Sequence, residues 1–172
     1  MKSQQFIKQL LQSPLTTRET ILTIHKHVPG FNDLLYRNSH IAIECGNTSI
    51  AALIIEASMK AGKTPLNEAI LKLLRAPETL TDQELLANQN TIIEKYPFRE
   101  VAALDPTGVT LQRLIDLTTN KDTKESSLLL QPRYSNGGMT LYHFAAVCKT
   151  TKNLEILADI KFDFKKIDLE VT

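Results

Sequence analysis

Two apolar runs separated by a glycine dominate the first third of the chain: His40-Ile41-Ala42-Ile43-Glu44-Cys45-Gly46-Asn47 and, directly after it, Thr48-Ser49-Ile50-Ala51-Ala52-Leu53-Ile54-Ile55. The first run lies in residues 32–45, which predict one helix or two helices that meet at Asn38-Ser39. The second run predicts a helix over residues 48–60, because its aliphatic side chains fall on one side at helical spacing. Gly46-Asn47 predicts a tight break, so the two runs form short helices joined by a turn.

Three later stretches start in a similar way. One repeats the His-x-Ala spacing: Gly138-Met139-Thr140-Leu141-Tyr142-His143-Phe144-Ala145-Ala146. Another keeps a Thr-Pro-Leu element but has Asn67 in place of the histidine: Gly62-Lys63-Thr64-Pro65-Leu66-Asn67-Glu68-Ala69. Here Thr64 is expected to cap a helix, with Pro65 at its first position, where the missing amide donor has no partner to lose. A weaker start near Thr110 has neither proline nor histidine: Asp105-Pro106-Thr107-Gly108-Val109-Thr110-Leu111.

These segments resemble the ankyrin repeat, whose signature reads Gly-x-Thr-Pro-Leu-His-x-Ala-Ala. The resemblance covers roughly residues 30–170 and implies about four degenerate repeats, hence an all-α chain that forms a short solenoid of helix-turn-helix pairs. It implies structural rather than catalytic roles for the residues at its motif positions: His40, Gly46, Thr64, Pro65, Thr140 and His143. Because the middle starts are unevenly spaced, a different α-solenoid and an irregular helical bundle are the alternatives.

The N-terminal segment, residues 1–29, predicts a helical cap for this array. A stripe of Phe6, Ile7, Leu10 and Leu11 predicts a helix that ends at Pro14. Thr16 and Glu19 form a predicted capping box for a second helix, which ends at Pro29-Gly30. Residues 30–172 then form the repeats, and the whole chain is a single domain. A further capping box, from Thr81 to Glu84, predicts the start of a helix in the elongated second repeat. This helix is expected to run through Leu85, Leu86, Ile92 and Ile93 to Tyr96-Pro97.

The composition predicts a folded protein and excludes several kinds of partner. The chain has 172 residues, of which 42% are hydrophobic and 23% charged, with a net charge of +1. This balance gives no basis for nucleic-acid binding or for attraction to an anionic membrane. No apolar window is long enough to span a bilayer, and the N-terminus lacks the apolar run of a secretory signal. We expect a cytoplasmic protein where it is synthesised.

No residue pattern predicts a catalytic, cofactor or metal site. The segment from Ala57 to Thr64 resembles a phosphate-binding loop, but its first glycine is replaced and a helix precedes it. Cys45 and Cys148 each follow a histidine by five residues, which turns them about 140° away from that histidine on a helix. This rotation argues against a local thiol–imidazole pair. Because each cysteine lies on a small apolar face of a predicted helix, both are expected to be buried, reduced thiols, and the prediction is that there is neither a cofactor nor a metal ion.

The ankyrin resemblance implies a module that binds a partner protein on its concave face. Arg133 and Tyr134 precede the fourth repeat start, where the fingers of this family project, and both residue types are enriched at binding hot spots. Such modules also occur in effectors that bacteria deliver into host cells, which is a second expectation. Two alternatives stay open: an enzyme that uses His40 or His143 with Cys45 or Cys148, and an assembly subunit that forms a homo-oligomer through its C-terminal repeat.

Overall fold

The computed structural model describes residues 2–28, 30–123 and 141–160. These residues form mostly helices, which confirms the all-α prediction at the level of fold class. The α-helices are α1 (Lys2–Gln12), α2 (Arg18–His27), α3 (Phe31–Arg37), α4 (Ser39–Glu44), α5 (Thr48–Lys60), α6 (Glu68–Arg75), α7 (Asp82–Asn88), α8 (Phe98–Val101), α9 (Val109–Thr118), α10 (Leu141–Val147) and α11 (Lys152–Ala158). Short 3-10 turns lie at Pro77–Thr79 and Ala102–Leu104, and a two-stranded sheet pairs β1 (Ile92–Ile93) with β2 (Tyr96–Pro97).

The chain divides into two compact units that are not continuous in sequence. Unit 1 comprises Met1–Leu80 and Ile92–Tyr96, and unit 2 comprises Thr81–Thr91 and Pro97–Thr172. The sequence predicts a helical cap over residues 1–29 and repeats over residues 30–172. The two compact units do not test these repeat boundaries, so this division stays a prediction. Among the described residues, no helix is both long enough and apolar enough to cross a membrane.

Helix α5 is the centre of unit 1. It packs against α2, α3, α4 and α6, while α1 packs against α3 and α4. The side chains between these helices are aliphatic and almost completely buried, including Ile7, Leu11, Ile21, Leu35, Ile43 and Ile54. Each such side chain contributes roughly 1.5–3 kcal/mol on leaving water. The first helix and its end before Pro14 are confirmed, since α1 ends at Gln12. The predicted stripe is confirmed only for Ile7 and Leu11, because Phe6 is 49% exposed.

The predicted break at Gly46-Asn47 is confirmed. Helix α4 ends at Glu44, and Gly46 adopts a left-handed backbone with φ of 70°. The Gly46 amide donates to the Ile43 carbonyl at 3.0 Å, and the Asn47 amide donates to the Ala42 carbonyl at 2.8 Å. This pair of bonds satisfies two carbonyls at the helix end that would otherwise lack a donor. Residues 32–45 form two helices rather than one, because α3 ends at Arg37 and α4 begins at Ser39.

The helix starts were predicted with mixed success. The Thr81–Glu84 capping box is confirmed: the Glu84 amide donates to Thr81 Oγ1 at 3.1 Å, and Glu84 accepts from the Thr81 amide at 2.9 Å. The predicted extent of this helix is wrong, because α7 ends at Asn88 and the segment up to Tyr96-Pro97 forms the strands β1 and β2 instead. The Thr16–Glu19 box is wrong by one residue. Thr17 caps α2 together with Thr20, whereas the Thr16 hydroxyl donates to the Leu10 carbonyl at 2.6 Å.

The cap predicted at Thr64 and Pro65 is also wrong. Helix α6 begins only at Glu68, and its cap is Asn67, whose side-chain carbonyl accepts from the Ala69 amide at 3.1 Å. Asparagine at this position satisfies the free amides of the first turn, so the helix starts there. The Thr64 hydroxyl instead donates to Ser58 Oγ at 3.3 Å, and Pro65 is exposed before the helix.

Unit 2 is built from short helices around one set of buried side chains. Helix α8 and the 3-10 turn after it pack against α10, while α9 packs against both α7 and α11. The buried side chains include Phe98, Ala102, Ala103, Leu111, Leu114, Phe144 and Leu157. The turn and helix predicted from Asp105 onward are confirmed, because Gly108 has φ of 74° and α9 begins at Val109, while the interpretation of this segment as a repeat start stays a prediction. The preceding helix starts at Phe98, directly after Pro97.

Candidate functional site

In unit 1, titratable side chains of a β-hairpin contact titratable side chains of α4. The hairpin consists of β1, the turn Glu94-Lys95, and β2. Its contacts with α4 bring together a group that we call the hairpin cluster: Ser39, His40, Glu44, Glu94, Lys95 and Tyr96. Glu94 has φ of 58°, a left-handed conformation that costs a residue other than glycine about 1–3 kcal/mol. The surrounding contacts must offset this strain.

Three polar contacts join the hairpin to α4. Lys95 Nζ lies 3.3 Å from His40 Nε2. The Tyr96 hydroxyl donates to a carboxylate oxygen of Glu44. The Ser39 hydroxyl, which has one proton to give, reaches both the Tyr36 carbonyl, at 2.8 Å, and the Glu94 carboxylate. Tyr96 is only 3% exposed and Ile93 only 2%, so apolar packing accompanies these contacts.

The electrostatics of the hairpin cluster keep His40 neutral and disfavour ionisation of the thiol next to it. Burial, followed by the nearby Lys95 ammonium, lowers the pKa of His40 below 6.5, although Glu44 opposes this. Burial and the Glu44 carboxylate raise the pKa of the Cys45 thiol. Burial also raises the pKa of Glu94, against the effects of Ser39 and Lys95. A thiol with a raised pKa has little thiolate at neutral pH and is a poor nucleophile.

Cys45 was predicted to be buried, and this is wrong. It follows the last residue of α4 in the turn that leads to Gly46, and it is an exposed free cysteine. Its position at the helix end, rather than on the apolar side of the helix, explains the exposure. His40 contacts Lys95, and no hydrogen bond to the Cys45 sulfur is present in the described residues. The geometry therefore does not provide a thiol–imidazole pair at α4.

Cys148 belongs to a different, largely buried polar network in unit 2. The thiol donates to the Leu104 carbonyl at 3.5 Å, and the Asn153 side-chain amide lies 3.6 Å from the sulfur. Asn153 is completely buried and also donates to the carbonyls of Ala103, at 2.7 Å, and Asp105, at 2.8 Å. These bonds fix the start of α11 against the loop before α9, so Cys148 has a structural environment.

Asp105 belongs to the same network, because its carbonyl accepts from Asn153 and its carboxylate binds the residues that follow it. Its carboxylate accepts hydrogen bonds from the Thr110 hydroxyl at 2.7 Å, the Thr110 amide at 3.2 Å and the Thr107 amide at 3.0 Å. Burial opposes ionisation and is the largest single influence, but these bonds together outweigh it and lower the pKa of Asp105 below 3.8. We call this group the buried network, after its buried members Asp105, Thr110 and Asn153. Thr107 is exposed at its edge, and Cys148, which was predicted to be buried, is half-buried.

Helix α10 presents an exposed stripe that contains one of the predicted motif residues. Leu141, Phe144 and Ala145 face the core of unit 2. The remaining side chains at spacing i, i+1, i+4 and i+5 are exposed, and we call them the α10 stripe: Tyr142, His143, Ala146 and Val147. Tyr142 is 41% exposed and Val147 is 40% exposed. The stripe contains no Asp, Glu, Lys or Arg, so an apolar surface with two polar ring systems remains in contact with solvent.

The predicted site residues are spread over both units. His40 and Gly46 lie at α4 and its C-terminal turn, Thr64 and Pro65 precede α6, and His143 lies on α10. Arg133, Tyr134 and Thr140 lie outside the described residues. No local pattern predicts the hairpin cluster, because it joins α4 to a hairpin more than fifty positions later. In residues 141–147, the alternation of buried and exposed pairs follows directly from helical spacing, so the α10 stripe has a signal in the sequence beyond the repeat motif.

Metal and family evidence complete the description of these sites. In the described ranges, no group of three or more His, Cys, Asp or Glu residues is arranged to hold a metal ion. The polar side chains of the hairpin cluster instead make hydrogen bonds with one another. Comparison of the chain with protein-family models, curated proteins and solved structures gives no match.

Proposed function

We propose that this chain is a protein-binding module built from stacked helix pairs, and that it binds its partner through the α10 stripe. The observation that carries this proposal is the exposure of Tyr142 and Val147 at the two edges of the solvent-facing side of a helix that carries no charged residue. Interface centres are depleted in charged side chains and enriched in aromatic ones. A half-exposed tyrosine offers a large apolar area together with a hydroxyl, the combination common at hot spots.

The packing within each unit supports the helical-repeat part of the proposal. In unit 2, α8 and its 3-10 turn pack on α10, and α9 packs on α11. In unit 1, α1 packs on α4 and α2 packs on α5. In these four pairs first helices contact first helices and second helices contact second helices, as in stacked repeats, whereas α6 packs against α5. The starts of α4, α6 and α8 are about 30 residues apart, close to the period of ankyrin repeats.

The ankyrin-like solenoid and its concave binding face belong to this proposal, as does the place where the protein acts. Delivery by a bacterium into a host cell rests on the ankyrin resemblance alone. The enzyme alternative has less support, because the pKa of the Cys45 thiol is raised and Cys148 bonds to the backbone. Self-association remains a distinct proposal, since an apolar stripe also suits a second copy of the chain.

The test compares a stripe variant, Tyr142→Ser with Val147→Ser, with a matched control, Leu154→Ser. Leu154 lies on α11 of the same unit and is 37% exposed, so the control removes a comparable apolar side chain outside the stripe. Quantitative affinity capture should recover a protein with the wild type and the control, and at least about tenfold less with the stripe variant. Titration with the purified protein should then give the same ranking of Kd.

Two further measurements make the result decisive. Far-UV circular dichroism and a urea unfolding curve must show that the stripe variant is folded. Sedimentation at increasing concentration distinguishes the occupants: a dimer that the stripe variant abolishes would identify a second copy as the partner and replace the proposed function. Equal binding of a purified partner to wild type and stripe variant would exclude the α10 stripe as the binding surface.

A further inference from the structure

The hairpin of unit 1 is held on α4 by contacts of two kinds. Ile93 and Tyr96 are buried, and the Tyr96 hydroxyl also donates to a carboxylate oxygen of Glu44. The burial of their apolar surface does not depend on pH in the neutral range. The turn between them carries Glu94 and Lys95, and Lys95 contacts His40. We propose that this hairpin is a pH-sensitive element: protonation of His40 breaks its contact with Lys95 and loosens the hairpin turn from α4.

The proposal follows from the hydrogen-bonding capacity of the two groups. A lysine ammonium has three donors and no acceptor, whereas a neutral imidazole has one donor and one acceptor nitrogen. At 3.3 Å the His40 Nε2 atom must therefore be the acceptor for the Lys95 ammonium. Protonation converts Nε2 into a donor and places two positive charges next to each other. The contact changes from attractive to repulsive with a single proton.

The other groups around His40 modify this response but do not reverse it. Glu44, one turn further along α4, attracts a proton to the ring, and so does a hydrogen bond with the Arg37 backbone. Burial and Lys95 act in the opposite direction and prevail, so the pKa of His40 lies below 6.5. Helices α1, α3 and α5 also pack against α4. Within the described part of the chain they add no further charged side chain that acts on His40.

The direction of the effect can be derived from the pKa shifts. A histidine whose pKa is lowered in the folded state binds a proton more readily when its surroundings open. His40 therefore favours the attached hairpin above pH 6.5, and this contribution decreases as the pH falls from 6.5 to the folded pKa. Glu94 acts in the opposite sense, because burial raises its pKa above 4.5 and its protonation favours the folded state. A variant without His40 consequently isolates the histidine contribution.

Backbone strain in the turn supports opening at this position. Glu94 holds a φ of 58°, and a residue other than glycine can relax from this conformation once its contacts are lost. The Ser39 hydroxyl next to Glu94 has an alternative acceptor in the Tyr36 carbonyl at 2.8 Å. Release of the turn therefore leaves this hydroxyl with a partner. Ile93 and Tyr96 remain buried, so the expected motion is local.

The experiment measures the hairpin and the histidine in the full-length chain by NMR. Hydrogen exchange of the amides of residues 93–96, corrected for intrinsic rates, should be about three- to tenfold faster at pH 5.5 than at pH 7.5. The imidazole resonance of His40 should titrate below 6.5 in the wild type. In the variant Lys95→Gln, the imidazole of His40 should titrate at a higher pH than in the wild type. The variant His40→Gln should remove most of the pH dependence of hydrogen exchange in residues 93–96. His27→Gln, at an exposed histidine of α2, is the matched control and should behave as the wild type.

The outcomes separate a local opening from general unfolding. Amides of α5 should keep the same protection at both pH values, because this helix forms the centre of unit 1. A His40 pKa of 6.5 or above, or equal protection of residues 93–96 at both pH values, would overturn the proposal. The α10 stripe lies in unit 2, so this result is independent of the proposed binding function.

Discussion

Asp105 is the carboxylate with the densest set of donors in the described structure. Two threonine hydroxyls and two backbone amides donate to its oxygens. Asp105→Asn replaces one acceptor oxygen by an NH2 group that faces donors, and we expect a loss of about 1–3 kcal/mol in the free energy of unfolding. Urea unfolding would measure this. Asp116→Asn, on the exposed side of α9, is the control and should change stability by less than about 0.5 kcal/mol.

The same substitution should change the response to acid. Because the folded pKa of Asp105 lies below 3.8, its ionised form contributes stability that is fully present above pH 3.8. This contribution disappears as the pH falls from 3.8 through the folded pKa. The unfolding free energy of the wild type should therefore fall more steeply below pH 4 than that of Asp105→Asn. Parallel curves for the two proteins would show that the buried network does not hold the carboxylate.

Asn153 gives a second residue-level prediction, from the same network. Its amide donates to the carbonyls of Ala103 and Asp105 while the side chain is completely buried. Asn153→Ala leaves both carbonyls without this donor and should cost about 1–3 kcal/mol. Asn153→Asp should cost more, since an ionised carboxylate would face the two carbonyl oxygens. Thermal unfolding would measure both, with Gln83→Ala, at an exposed position of α7, as the control that should leave Tm unchanged.

At the scale of the helix, Gly62 ends α5 as Gly46 ends α4. Its φ is 70°, and a Cβ atom there would meet nothing within 4 Å. Gly62→Ala should therefore cost about 1–2 kcal/mol through the left-handed conformation alone. Gly30 offers a matched control, because a Cβ there also has open space but its φ is −64°. Gly30→Ala should be neutral or slightly stabilising in the same urea experiment, and equal losses at both positions would contradict the conformational argument.

Local chemistry explains which elements could be predicted from the sequence. The Thr81–Glu84 box and the Gly46-Asn47 turn depend on residues within one helical turn, and both are confirmed. At Thr64-Pro65 two suitable caps, Thr64 and Asn67, lie three residues apart, and only the packing of α6 on α5 selects Asn67. Helix α8 could not be predicted from the sequence, because its four residues are too few to show a helical period of apolar side chains.

The candidate sites divide in the same way. The exposed side of α10 follows from helical spacing, so its residues could have been identified from residues 141–147 alone. The hairpin cluster could not, because the pairing of His40 with Lys95 and of Glu44 with Tyr96 requires the hairpin to return to α4. No local pattern in the sequence predicts such a contact. The buried network likewise joins Asp105 to Asn153, which lie on different elements.

For the whole molecule, the division into units makes a prediction about fragments. Unit 1 includes the segment Ile92–Tyr96, although this segment follows Thr81–Thr91, which belongs to unit 2. A fragment of residues 1–80 therefore lacks the hairpin that buries Ile93 and Tyr96. We expect the fragment 1–97 to exceed it in unfolding free energy by about 2 kcal/mol or more, because each of these side chains contributes roughly 1.5–3 kcal/mol on burial.

The fragment 1–91 is the control, since it extends the chain to the end of Thr81–Thr91 without adding the hairpin. It should unfold at the same urea concentration as the fragment 1–80, while the fragment 1–97 unfolds at a higher one. Ile93→Ala in the fragment 1–97 should remove a large part of the difference, because its side chain is 2% exposed. If the fragments 1–91 and 1–97 were equally stable, the hairpin would not contribute to unit 1, and the hairpin cluster would lose its structural basis.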